Sequence, residues 1–150
     1  MKANLTPIYF REDSDPDFVK QVSTIKDLLK EVAEVLPPTK LGTPIPQGTD
    51  AVVFPQMLGD AYSHIEEFKV LPQPILVVTS EFGTVSMWDW EINSYLDSYG
   101  IKVIAPPNLE TALKACKAIA LKRELNHSKL LVYQDNPGEG FQADIFKRFY

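Results

Sequence analysis

The chain has 150 residues, enough to bury a core as one domain, and its 45% hydrophobic and 23% charged content exclude a disordered or fibrous class. A net charge of -5 argues against a nucleic-acid partner, and no apolar run reaches membrane-spanning length. A single cysteine, Cys116, excludes an internal disulfide, and the start MKANLTPIYFRED lacks the apolar stretch of a signal peptide, so the expected setting is the cytoplasm.

Asn4 to Phe10 (NLTPIYF) reads as a first strand that ends at the charged loop Arg11-Glu12-Asp13-Ser14-Asp15. Asp15-Pro16 then places an acceptor at a helix N-cap and proline at the first helical position. Phe18, Val22, Ile25, Leu29, Val32 and Leu36 follow at steps of three or four, which predicts a helix running to Pro37-Pro38. The Pro- and Gly-rich stretch 39–48 has room for a short edge strand over Leu41 to Ile45. Asp50 to Met57 is the next strand, and Gly59-Asp60 opens a short helix with Tyr62, Ile65 and Phe68 facing inward. Ile75 to Thr79 (ILVVT) is the clearest buried strand.

A helix is expected from about Thr84 to Ser98, buried through Val85, Trp88, Ile92 and Leu96 and ended by Gly100. Lys102 to Ala105 forms a strand, and Asn108 caps a helix that buries Leu109, Leu113, Cys116 and Ala120 and runs to about Leu125. Lys117, Lys122 and Arg123 are the densest basic group and read as its solvated face and last turn. Lys129 to Tyr133 (KLLVY) is the last strand. Apolar strands alternating with amphipathic helices predict an α/β fold: a Rossmann-like, doubly wound, mostly parallel sheet of five or six strands in flavodoxin-like order, three layers α/β/α.

Residues 1–135 would form this domain. The turn Asp135 to Gly140 and the stretch FQADIFKRFY, apolar at Phe141, Ile145 and Phe149, read as a linker and the start of a helix, either folding back on the sheet or leading to a following domain.

In an open parallel sheet, ligands sit at the carboxyl ends of the strands near the point where strand order reverses. That rule selects Arg11 after the first strand, Gln56 after DAVVFP, Thr79, Ser80 and Glu81 after ILVV, and Gln134 and Asp135 after KLLVY. Ser80 and Glu81 are suited to hydroxylated ligands, and Trp88 and Trp90 to stacking on a sugar's apolar face. The structural alternatives are a helix cap at Thr84 or Ser86, Trp88 in the core, and an Arg11 that only neutralises Glu12, Asp13 and Asp15. His64 and His127 are unclustered and read as surface and helix-end residues, so with Cys116 they make no zinc site. No nucleophile elbow, phosphate loop or dinucleotide fingerprict is present, which leaves acyl transfer and nucleotide binding unsupported.

The blocks DAVVFPQMLGDAY and PILVVTSEFGTVSMWDWEINSYLDSYGIKV resemble the N-terminal domain of the L-fucose isomerase and L-arabinose isomerase superfamily. The resemblance implies a carbohydrate-metabolising aldose–ketose isomerase that assembles as a homo-oligomer and uses Mn²⁺. Its metal ligands come from later domains, so this chain alone is expected to be inactive, with no catalytic residue and no cofactor of its own. The first domain would cap the substrate sugar, with Arg11 and Trp88 as the matching contacts and Gln56, Ser80 and Glu81 added from strand-end position. The ending within the FQADIFKRFY pattern fits continuation into missing C-terminal domains. The other reading is a stand-alone flavodoxin-like binding or regulatory module for a small ligand.

Overall fold

A computed structural model of the chain describes residues 1–55, 59–72, 74–79 and 87–129, without the side chains of 87–90. The first strand, β1 (Ala3–Tyr9), leads through the charged loop into α1 (Pro16–Leu29). The predicted cap forms: one Asp15 carboxylate oxygen accepts from the amides of Asp17 and Phe18 at 2.8 and 3.1 Å. Caps of this type stabilise a helix by about 1 kcal/mol.

Helix α1 stops at Leu29, eight residues before the proline pair, and Ala33–Val35 is an edge strand, β2, parallel to β1. Val32 and Leu36 continue the helical spacing, yet Val32 donates its amide to Leu29 and accepts from Ala3, which turns the chain into the sheet. The next strand, β3 (Thr39–Lys40), lies ahead of the expected Leu41 to Ile45 and pairs with the far end of β1.

The split between β2 and β3 accommodates Pro7. Odd-numbered residues of β1 direct their backbone groups to this flank: Ala3 to Val32, Leu5 to Leu36 and Tyr9 to Leu41. The amide that Pro7 lacks would face the gap at Pro37-Pro38, where no partner strand needs it.

The remaining strands are β4 (Ala51–Phe54), β5 (Ile75–Val77) and β6 (Val103–Ile104), all parallel, in the order β2-β1-β4-β5-β6 with β3 beside β1. This is the expected α/β doubly wound, Rossmann-like sheet. Residues 59–69 form a 3₁₀ turn, Gly59–Ser63, followed by α2 (Ile65–Lys69). Phe68 faces inward as expected, whereas Tyr62 is exposed and lies against Tyr95 at 4.7 Å between ring centres. Helix α3 (Met87–Ser98) buries Ile92 and Leu96 and ends at Gly100, whose φ of 77° is the left-handed conformation that only glycine adopts freely. Helix α4 (Leu109–His127) opens on Asn108, whose side chain accepts from the Thr111 amide. The KLLVY strand and the FQADIFKRFY helix lie outside the described residues.

Alternation along the strands sends side chains to two apolar layers. Leu5, Val53 and Leu76 pack under α1 and α4 with Ile25, Leu29, Cys116 and Ile119. Val52, Phe54, Ile75 and Val77 pack under α2 and α3 with Phe68, Ile92 and Leu96. Thr6, the one fully buried polar residue among the described residues of the sheet, shares a hydrogen bond with Thr49 at 2.8 Å.

Burial pushes the Cys116 thiol up to about 11 from its ordinary 9.0. The folded protein is therefore expected to resist a thiol reagent at pH 8 and to react at once in denaturant. The unfolded chain releases this proton first, so the associated stability is complete below pH 9.0 and falls as pH rises through about 11. Labelling the folded protein at the rate of free cysteine would contradict this burial.

Candidate functional site

The chain leaves β1 toward β2 on one side and, after β3, crosses to β4 on the other, which makes the carboxyl end of β1 the switch point of the sheet. A cleft of about 460 Å³ opens there. Its floor and walls come from Tyr9, Phe10 and the charged loop after β1, from Pro16 and Phe18 at the start of α1, and from Asp60 after β4.

Arg11 lies in this cleft, as its strand-end position predicts, but its partner is none of its loop carboxylates. The guanidinium reaches across the switch point to Asp60, donating Nε to Oδ2 at 3.2 Å and Nη2 to Oδ1 at 3.3 Å. The Arg11 side chain is 82% exposed and that of Asp60 39%, so the pair is solvated and contributes little to stability. A hydroxyl group can therefore share either partner at small cost, since it displaces no charge.

The apolar walls are more firmly held. Tyr9 meets Phe18 edge-on at 5.8 Å, fixing the start of α1 against the end of β1. Phe10 touches the rings of Phe54, Phe68 and His64 at 5.7, 6.1 and 5.6 Å. Behind Phe10, His64 lies 3.2 Å from Glu67. Hydrogen bonds from its own backbone and from His64 hold the Glu67 carboxyl below its usual range.

The amides that a helix start would offer to an anion are already bonded to Asp15. Among the described residues lining the cleft, Arg11 is the one cation against the carboxylates of Glu12, Asp15 and Asp60. Such a rim suits a ligand rich in hydroxyl groups, which donate to carboxylates and accept from a guanidinium.

Of the other residues singled out in the sequence, Gln56, Ser80 and Glu81 lie outside the described residues, and Trp88 stands in the first turn of α3 with its side chain outside them. Asp60 is the residue that sequence reading missed. Gly59-Asp60 reads as a helix opening, yet Asp60 follows β4 closely enough for the carboxyl-end rule to include it. His127 does bond its own helix end, its Nδ1 lying 2.7 Å from the Arg123 carbonyl. Among the described residues no helix is long and apolar enough to cross a membrane. Comparison with protein-family models, curated proteins and solved structures finds no match to the chain.

Proposed function

We propose that the cleft at the end of β1 binds a small sugar or related polyol, and that the chain is the substrate-capping and assembly domain of an L-fucose/L-arabinose isomerase-like protein. Support for the binding half comes from one observation above all: the exposed Arg11–Asp60 pair spanning the switch point between aromatic walls. Hydroxyl groups of a sugar would insert between guanidinium and carboxylate, with an apolar ring face against Phe10 or Phe18. Isomerisation itself would fall to other domains of a cytoplasmic homo-oligomer, which would also carry the Mn²⁺. Among the described residues no group of three or more His, Cys, Asp or Glu side chains is placed to hold a metal.

The test is a titration of the chain with L-fucose and L-arabinose followed by amide NMR. Saturable shifts at Glu12, Asp17 and Phe18 are expected, with affinity falling about tenfold in an Arg11→Ala variant, a loss of about 1.4 kcal/mol. Shifts absent at these amides, or unaffected by the substitution, would overturn the reading.

A further inference from the structure

We propose that Asp60 sets the charge selectivity of this cleft: by holding the Arg11 guanidinium it keeps the site for uncharged hydroxylated ligands and against phosphorylated or carboxylated ones. The inference rests on the polyol reading of the cleft and adds the class of sugar derivative it refuses. An anion entering here meets a guanidinium already neutralised by a carboxylate and helix amides already bonded to another. Arg11 already donates twice to Asp60, and the amides of Asp17 and Phe18 already donate to Asp15. Glu12 and Asp15 add charge of the same sign as the anion. An uncharged hydroxyl group meets none of these obstacles, because it can donate to Asp60 while accepting from Arg11.

Removing the Asp60 charge while keeping its shape loosens its hold on the guanidinium, leaves the Arg11 charge uncompensated there and cancels one repelling group. The pair is exposed, so the Asp60→Asn variant is expected to fold normally. The probes are inorganic phosphate, L-fucose and a phosphate ester of an aldose, titrated at low salt into the wild-type chain, the Asp60→Asn variant and the Arg11→Gln/Asp60→Asn double variant. The wild-type chain should show no saturable response to either phosphate. The Asp60→Asn variant should bind both, at least about tenfold more tightly than the wild type, with the gain shrinking as salt approaches about 0.1 M. The double variant should lose that gain, which assigns it to Arg11.

Phosphate binding to the wild type as tightly as to the Asp60→Asn variant would overturn the proposal, and so would a variant that gains nothing. L-fucose reports separately. If it fails to bind while the phosphate contrast appears, the selectivity stands and the polyol reading falls. If it binds and the contrast is absent, the reverse holds.

Discussion

Replacing Phe54 by alanine is expected to lower the stability of the fold by about 3–5 kcal/mol. Phe54 ends β4 with 2% of its surface exposed, and its ring stacks on Phe68 of α2 at 5.1 Å and 16°. Phe10 meets both rings, at 5.7 Å from Phe54 and 6.1 Å from Phe68, closing a three-ring cluster. Truncation would therefore open a cavity bounded by the sheet, by α2 and by the aromatic wall of the cleft. Alanine removes the whole ring, and the surrounding elements can collapse only partly because β4 is paired on both sides. Denaturant unfolding should show a lower midpoint with an unchanged slope, and a Phe54→Leu variant should recover more than half of the loss. The cleft should suffer as well, since Phe10 loses the support that sets its angle: sugar-induced shifts at Glu12 should weaken in the alanine variant even far below its unfolding midpoint. A loss under about 1 kcal/mol would mean that this ring is not packed as described.

The elements that the sequence announced most clearly are those whose local chemistry and tertiary role agree. Asp15-Pro16 and Asn108 cap helices whatever packs on them, and Gly100 ends a helix because its φ excludes most other residues. The runs ILVV and AVVF are apolar on both faces because both faces of the sheet are covered. Strand β2 was hidden for the opposite reason. Val32 and Leu36 satisfy a helical period by coincidence, and only pairing with β1 decides that Ala33 to Val35 extend. Topology gives no warning either, because the edge strand expected over Leu41 to Ile45 already fills the place that a doubly wound sheet requires after α1. The candidate site divides in the same way. Strand-end position located Arg11, but its partner lies forty-nine residues on, and no local pattern links the two.

Arg123 shows how far such a long-range partner can change a reading, and its expected effect is the other large one. By spacing it belongs to the solvated last turn of α4, yet its side chain is 29% exposed and meets Asp50, 9% exposed, at 2.7 Å. Its other terminal nitrogen donates to the Lys2 carbonyl at 3.1 Å, and the same Asp50 oxygen accepts from the Asn4 amide at 2.8 Å. Asp50 thus holds Asn4 twice, its amide donating to the Asn4 carbonyl at 2.9 Å and its carboxylate accepting from the Asn4 amide, and it ties α4 to the amino end of the sheet. An Asp50→Ala variant would leave the Asn4 amide without its acceptor and the half-buried guanidinium with the Lys2 carbonyl and the more exposed Glu124, at a cost of about 3 kcal/mol. An Asp50→Asn variant keeps an acceptor for Asn4 and should lose less. Because the pair is shielded, the loss should persist in high salt, whereas the exposed pair of Lys114 with Glu110 should contribute almost nothing there. Hydrogen exchange at the Asn4 amide should quicken in the alanine variant. The site of damage lies at the end of the sheet opposite the cleft, so ligand selectivity at Arg11 and Asp60 should survive in the fraction that remains folded. An Asp50→Ala variant as stable as the wild type would mean that the Asp50–Arg123 pair does not help hold α4 to the sheet.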